Sequence, residues 1–437
     1  MDNRRQSQTR DHVSVDVKED ALVSSIKDKM ETAITSISIS RVPDDLRKGN
    51  ENMYIPDKVS IGPLHHGNTL KSMDDNKWLY VYALLNRKPN LEASLDRCVE
   101  LLRGLEHRAR LSYKDGVNLP TDDFVQMMLV DGCFIIELFL KYTLKNLRHR
   151  NDPIFSTHGM LSDLRCNLML LENQIPYFIL QRLFQIVPIP RNCGLSLNEL
   201  AFRFFKRMIP GDLQLKVLQE RFNHEGYHLL DLIHHCFLPT YPRVQPKEGG
   251  TQQQQGLDCA TKLKKARIRF KKSHGKSLLD IKFVNGVLEL PSLKVNKDTE
   301  ILFRNLIALE QSHCDSTQHS FTSYAFLMGS LVCSEKDLKL LGKQQILIYE
   351  KDKRKEASEL FGKLCVAAKP MDSYYRGLFE HVNEYRRTHW LGFWQRLKHS
   401  RAKSPASLVV FILAIMLIVL TFVGAFFSVL TFCLHHI

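Results

Sequence analysis

Three polar residues at helical spacing are the first candidates for chemistry. On a helix with about 100° per residue, His228, Asp231 and His235 fall within an arc of roughly 60°. Imidazole and carboxylate groups so placed can bind a divalent metal ion or share a proton. The same spacing is typical of the polar face of an amphipathic helix, and the intervening residues are aliphatic. Because no fourth ligand accompanies them, we expect no metal at this site.

Two carboxylates, Asp131 and Glu137, lie inside the apolar stretch FVQMMLVDGCFIIEL. An unpaired charge there would be costly. A catalytic dyad is one interpretation, but residues six positions apart lie on different faces of a helix. A buried cation such as Arg47 or Arg110 would account for either carboxylate, and we therefore expect structural roles.

A third polar group, Glu172, Asn173 and Gln174, comes shortly before Pro176. An apolar stripe predicts one helix over 162–184, and Pro176 removes an amide from it and so predicts a kink. We expect the three polar side chains to satisfy the backbone groups that this kink frees. The stripe consists of Leu164, Leu168, Leu171, Ile175 and Phe178. The adjacent pair His65 and His66 should point apart in a loop and bond to its backbone.

Composition and absent motifs exclude several function classes. The 437 residues carry a formal net charge of +14, but no zinc-finger spacing, arginine-rich arm or RNA-binding aromatic motif occurs, so no nucleic-acid partner is expected. Cations over 262–272 alternate with apolar residues, which favours a solvated face over a phosphate or lipid contact. No Walker loop, G-x-G-x-x-G, G-x-S-x-G or H-E-x-x-H motif is present, so we expect neither a cofactor nor enzymatic activity. Ten cysteines without a C-x-x-C pair indicate reduced thiols.

The elements that must position these residues are mainly helical. An irregular segment rich in Pro, Gly and Asn begins near Ile37, and helical periodicity runs from about Met73 towards His107. A helix then begins after Pro120, with Thr121 as its expected N-cap. We therefore predict a mainly α (α+β) fold: a large helical body with a small antiparallel β-hairpin insert and one C-terminal transmembrane helix.

The hairpin is predicted by Asn285-Gly286, a strong signal for a two-residue turn. Counting outward from the turn pairs Phe283 with Leu288 on one face and places Lys282 opposite Glu289 on the other. The apolar face and the charge pair agree on one register, so both strands of the hairpin follow from the sequence.

The transmembrane helix is predicted over residues 408–432, which contain no charged residue. Such a helix is about 37 Å long, and the hydrocarbon core of a bilayer is about 30 Å thick. Basic residues precede this segment and only a five-residue tail, 433–437, follows it, so the positive-inside rule predicts a cytosolic N-terminal body. We expect a single-pass protein of the plasma membrane or another secretory-pathway membrane. Gly424 and Ser428 are spaced as in paired membrane helices, which leaves homo-oligomers among the expected partners.

These patterns predict the domain organisation. We expect a disordered N-terminal segment over 1–36 and a helical globular domain over 37–400. Residues 239–258 combine prolines, glycines and a glutamine run, and they predict an internal loop or linker.

Several long blocks of the sequence resemble the plant domain-of-unknown-function-247 family. They occur in order over about residues 37 to 434 and include ISRVPDDLR, YIPDKVSIGPLHHG, DGCFIIEL, ENQIPYFIL, HLLDLIHH, KFVNGVLELPSLKV, LFRNLIALEQ and YAFLMGSLV. One departure is Arg267, which stands where the family usually has glycine. The residues that match the family's motifs are Pro43, Tyr54, Pro56, Gly62, Pro63, His65, His66, Asp131, Gly132, Phe134, Glu172, Asn173, Gln174, Pro176, Asn305 and Glu310.

The resemblance implies a membrane-anchored plant protein with a mainly helical body and no established enzymatic activity. Some grass members of that family are male determinants of self-incompatibility, which implies recognition rather than catalysis. We therefore expect a protein-interaction module, in plant signalling or self-incompatibility, that is anchored through lipid contacts of residues 408–432 and binds an unidentified protein. The alternative is an enzyme of an unrecognised type that uses polar residues of the helical body.

Overall fold

The structure is a computed structural model of the chain. It describes residues 39–67, 71–87, 91–209, 215–224, 226–247, 256–312, 319–367, 373–388 and 405–435. The predicted disordered segment 1–36 lies outside these residues. The described residues form two compact units: the first lies within Met1–Ile209, Leu215–Cys236 and Lys297–Ser316, and the second within Pro210–Gln214, Phe237–Asn296 and Thr317–Ile437.

The chain is mainly helical with two small sheets. In chain order the helices are α1 (Asp44–Arg47), α2 (Lys71–Leu85), α3 (Leu91–Leu111), α4 (Thr121–Thr143), α5 (Pro153–Ser156), α6 (Met160–Asn167), α7 (Tyr177–Ile186), α8 (Leu197–Phe205), α9 (Leu215–Phe222), α10 (Leu229–Phe237), α11 (Ala260–Lys265), α12 (Lys297–Ser312), α13 (Ser320–Leu331), α14 (Glu335–Lys343), α15 (Arg354–Ala367), α16 (376–388) and α17 (Pro405–His435). The strands are β1 (Arg269–Ser273), β2 (Lys282–Val284), β3 (Val287–Pro291), β4 (Leu293–Lys294) and β5 (Leu347–Ile348).

Helix α4 is the centre of the first unit. Every side chain from Met127 to Lys141 is buried, and α2, α3, α7 and α8 pack around the helix. An apolar sequence on all faces predicts such a buried helix. Pro120 rather than Thr121 occupies the N-cap, because α4 already begins at Thr121. The periodicity from Met73 to His107 corresponds to two helices, α2 and α3.

The prediction of one kinked helix over 162–184 is wrong. Helix α6 ends at Asn167, the chain continues without helix through Pro176, and α7 begins at Tyr177. The predicted apolar residues from Leu164 to Ile175 are nevertheless buried. The polar side chains before Pro176 bond to backbone groups that a continuous helix would use, and this competition ends the helix.

In the second unit the predicted hairpin is confirmed. Strand β2 pairs antiparallel with β3, with Lys282 opposite Glu289 and Phe283 opposite Leu288. The antiparallel insert is only part of the sheet, because β1 adds to β3 in parallel, and β4 and β5 form a separate parallel pair. Arg267, where the resembling family has glycine, adopts a φ of 66°, the left-handed conformation that glycine adopts without strain.

The basic segment 262–272, which runs from α11 into β1, has the predicted solvated face. Leu263, Ile268 and Phe270 are buried, whereas the cations between them are exposed, with Lys272 partly so. Of these cations, Lys271 lies 3.0 Å from the carboxylate of Glu289. A solvated face is therefore sufficient to explain this charge cluster.

The C-terminal helix α17 includes residues 408–432, where the transmembrane helix is predicted. Its described side chains, from Leu413 to Ser428, are exposed and almost all apolar. No helix within the described part of the chain meets the combined length and hydropathy criteria for a membrane span.

Candidate functional site

The carboxylate of Glu172 is the centre of a buried polar network in the first unit. Its Oε1 atom accepts hydrogen bonds from the amide of Val42, at 2.6 Å, and from the guanidinium of Arg47. Its Oε2 atom lies 3.0 Å from Nε2 of His65. Burial raises the pKa of Glu172, but the contacts from His65, Arg47 and Val42 outweigh burial and lower the pKa to about 2.

The two amides beside Glu172 bond to backbone groups, as predicted. Asn173 accepts a hydrogen bond from the Ile61 amide at 2.7 Å and donates to the carbonyl oxygens of Val59 and Asn167. Gln174 donates to the carbonyl oxygens of Leu168 and Leu170, both at 2.8 Å. These bonds hold the irregular segment over 39–67 against the loop over 168–176.

Asp131 continues the network from α4. One carboxylate oxygen accepts a hydrogen bond from Lys77 Nζ at 2.6 Å, and the other accepts from the amide of Gly62 at 2.8 Å. Gly62 has a φ of 75°, and a Cβ atom there would overlap the carbonyl oxygen of Gln174. Glycine is therefore required both by the backbone conformation and by the close approach of the loop.

Asn305 of α12 joins the network at its other end. Its Oδ1 atom accepts a hydrogen bond from the Leu171 amide at 2.9 Å, and its Nδ2 atom donates to the carbonyl oxygens of Met53 and Ile301. Next to Met53, the Tyr54 side chain is 1% exposed, and burial raises its pKa. A residue more than 130 positions along the chain from Leu171 thus holds the same loop.

Asp131 and Glu137 each form an ion pair, as expected, but the predicted partners are wrong. Arg47 pairs with Glu172, and Arg110 pairs with Glu106. The partner of Asp131 is instead Lys77, and that of Glu137 is Arg87, at 2.7 Å. Burial raises the pKa of Glu137, and the Arg87 pair opposes that shift.

A second buried cluster has no counterpart in the sequence analysis. Asp152 accepts a hydrogen bond from the Tyr80 hydroxyl at 2.8 Å and another from Lys141 Nζ at 2.9 Å. Burial and the Asp152 charge raise the pKa of Tyr80. The residues are separated by up to 72 positions, and the one sequence signal is a lysine near the end of a mainly apolar helix.

The residues considered for metal binding do not converge. His228 precedes α10 and is fully buried, and its Nδ1 atom accepts a hydrogen bond from the Asp231 amide at 3.2 Å. The Asp231 carboxylate accepts from the Tyr227 amide, and His235 stacks on His224 with ring centroids 4.0 Å apart. The described residues contain no group of three His, Cys, Asp or Glu side chains arranged to hold a metal ion.

Glu310, a further motif residue, pairs with His234 on α10. The Nε2 atom of His234 lies 3.0 Å from its carboxylate. Burial lowers the pKa of His234, but Glu310 outweighs burial and raises it above the ordinary value. The pair links α10 and α12 in the first unit.

The remaining motif residues have backbone or packing roles. Pro43 and Pro176 occupy the N-cap positions of α1 and α7, and Pro63 begins a single 3₁₀ turn over Pro63–His65. The other four divide between core and surface: Gly132 and Phe134 are buried in α4, Pro56 is half-buried and His66 is exposed. The imidazole of His65 is buried and its Nε2 atom faces the Glu172 carboxylate rather than the loop backbone predicted as its partner.

An apolar surface on α2 is the main exposed feature of the first unit. Trp78, Leu79 and Tyr82 are 48%, 61% and 55% exposed. At 100° per residue they lie within an arc of about 100°, and Asp75 lies on the same face. Elsewhere in the described residues, outside α17, large apolar side chains are exposed singly or in pairs. We name these three apolar residues the α2 surface.

Comparison with known proteins identifies the family. A family profile described as plant protein of unknown function, DUF247, matches residues 39–420. The chain belongs to this plant family. It is 29% identical to the UPF0481 protein At3g47200 of Arabidopsis thaliana, over 91% of this chain and 87% of the relative. It is 23% identical to the putative UPF0481 protein At3g02645 of the same plant, over 88% and 89% of the two chains. No solved structure matches the DUF247 chain.

The contacts around Gly62 predict that replacing it with a residue that has a side chain destabilises the fold. Gly62→Ala should lower the free energy of unfolding by about 3 kcal/mol, because it adds a steric overlap to the cost of a left-handed conformation. Gly67→Ala is the matched control, since Gly67 has a φ of 82° and a Cβ atom added there would have no other atom within 4 Å. Its expected cost is about 1 kcal/mol. Equal losses for the two variants in chemical denaturation would contradict the proposed contact with Gln174.

The lowered pKa of Glu172 predicts that the fold loses stability in acid. Its pKa in the folded chain, about 2, lies below the ordinary value of 4.5. Its contribution to the free energy of unfolding is therefore fully present above pH 4.5 and is lost as the pH falls towards 2. This contribution is about 3 kcal/mol. Glu172→Gln should remove this pH dependence and also destabilise the chain by roughly 3–5 kcal/mol at pH 7, because Arg47 loses its partner.

Denaturation curves over a series of pH values measure this effect. The control is Glu92→Gln, which neutralises an exposed carboxylate on α3. A Glu172→Gln chain with the same acid sensitivity as the Glu92→Gln chain would refute the assignment to Glu172.

Proposed function

We propose that this chain is a membrane-anchored recognition protein, whose body binds another protein through the α2 surface and which catalyses no reaction. The α2 surface carries the proposal. Exposed tryptophan and tyrosine side chains are enriched at the energetic centres of protein interfaces, and clustered apolar side chains on a surface mark interaction sites. Asp75 on the same face favours a partner that has an apolar patch flanked by lysine or arginine.

The polar residues that suggested an enzyme have contacts within the fold. Asp131 and Glu172 are each held by a cation and a backbone amide, and Glu137 is held by Arg87. A general acid or base needs a titrating group within reach of a substrate. The contacts around Glu172 lower its pKa to about 2, and its side chain is fully buried. These groups stabilise the fold and are not placed to react.

The anchor in this proposal is α17. Its described side chains are apolar and exposed, and residues 408–432 carry no charge. Exposed apolar helices of that composition are stable in lipid, where their backbone groups bond internally. The basic residues before α17 favour a cytosolic body in the plasma membrane or another secretory-pathway membrane. The eight cysteines whose side chains the structure describes are free thiols, which agrees with a reducing compartment.

The recognition proposal predicts that Trp78→Ala weakens partner binding. Full-length chains carrying a proximity-labelling tag are expressed in plant cells, and each protein labelled by the wild type is then titrated against the purified chain. Trp78→Ala should weaken the authentic complex by tenfold or more, roughly, because truncated hot-spot residues have this effect. Tyr227→Ala is the control, since Tyr227 is 54% exposed and is not on α2. If every labelled protein binds both variants equally, the α2 surface is not the recognition site.

The anchor predicts a defined topology. Tags at the N-terminus and after Ile437 are followed by protease treatment of sealed microsomes. We expect the N-terminal tag to be digested and the C-terminal tag to be protected, because basic residues remain on the cytosolic side. A chain that ends at Ser404 should be released from the membrane by alkaline carbonate. Release of the full-length chain under the same conditions would contradict the anchor, and protection of the N-terminal tag would contradict the cytosolic body.

A further inference from the structure

A polar cleft in the first unit is separate from the buried network and from the α2 surface. Its volume is about 520 Å³, which is within the size range of pockets for small molecules. The turn between α5 and α6 forms one wall, and the segment after α8 and the start of α12 form the others. The residues used below are Ser156, Thr157, Arg165, Arg207 and Asp298.

Arg165 is the most unusual residue of this cleft. It is 5% exposed, its Nε atom donates a hydrogen bond to the Phe204 carbonyl at 2.7 Å, and its Nη2 atom is buried without a hydrogen-bond partner. The guanidinium lies over the rings of Tyr142 and Phe204, which hold it in place. The guanidinium also forms a hydrogen bond with the Tyr142 side chain. Because a buried guanidinium with an unused donor is costly, an added anion beside Arg165 would stabilise this arrangement.

The other groups of the cleft favour an anion. Arg207 is exposed and lies near enough to Arg165 for their charges to repel, and Ser156 and Thr157 add two hydroxyl groups. The α6 helix begins at this wall with Gly159 as its N-cap and without a side-chain cap, so its first turn points partial positive charge towards the cleft. Asp298 is the one carboxylate of the lining, and it accepts a hydrogen bond from Ser162 at 2.8 Å.

We infer that this cleft binds the phosphate group of a phosphorylated small molecule. Two guanidinium groups with a helix N-terminus form the donor set that phosphate oxygens accept best. The cleft is larger than a phosphate ion alone requires, and its hydroxyl groups suit a polar organic part such as a sugar or nucleoside. This inference does not depend on the proposed recognition function, because the α2 surface shares no residue with the cleft.

Titration calorimetry on the full-length chain in detergent tests the inference. The probes are inorganic phosphate, glucose 1-phosphate and AMP, at constant ionic strength. We expect at least one phosphate ester to bind with a Kd below about 1 mM. Arg207→Gln should raise that Kd by about tenfold, because it removes a charge-assisted contact. Arg203→Gln is the matched control, since Arg203 is also exposed, lies four residues earlier and does not line the cleft.

Asp298→Asn should change the Kd in the opposite direction. It keeps an oxygen for the Ser162 hydrogen bond but removes the negative charge, so the Kd of the phosphate ester should fall several-fold. The inference is overturned if neither ester binds at about 10 mM, or if Arg207→Gln and Arg203→Gln have equal effects. Binding of inorganic phosphate without either ester would overturn the assignment of a phosphorylated small molecule as the ligand.

Discussion

Backbone groups that are buried outside regular secondary structure set the main constraint on the first unit. Residues 39–67 form only single turns, yet Val42, Val59 and Ile61 are buried. Their amides cannot bond to neighbouring strands or helical turns, and an unsatisfied buried amide costs roughly 1–3 kcal/mol. Glu172, Asn167 and Asn173 supply the missing acceptors. The network therefore replaces secondary structure as the support for this segment.

This constraint explains why polar residues that look catalytic in sequence have other roles. A side chain that accepts one or two backbone amides and pairs with a cation has few free lone pairs for a substrate. Asp131 bonds to Gly62 and Lys77, and Glu172 bonds to Val42 and Arg47. The buried carboxylates are used in this way, and the two proposals therefore rest on the α2 surface and on the cleft lined by Arg165.

The two surface features suit different kinds of ligand for physical reasons. The α2 surface is exposed and apolar, so binding there would remove apolar area from water. The cleft is concave and positively charged, so the gain comes from directed hydrogen bonds in a partly desolvated site. Membership of the plant DUF247 family over residues 39–420 places the residues of both features inside the family region.

Local patterns in the sequence were enough to predict the helical class, the apolar helix α4 and the register of the hairpin at Asn285-Gly286, because periodicity and turn residues act over short distances. They also predicted that the polar residues before Pro176 would bond to the backbone. The sequence did not show which cation pairs with Asp131 or that Arg165 lines a cleft. Those outcomes depend on contacts between segments far apart in the chain, whose approach no local pattern specifies.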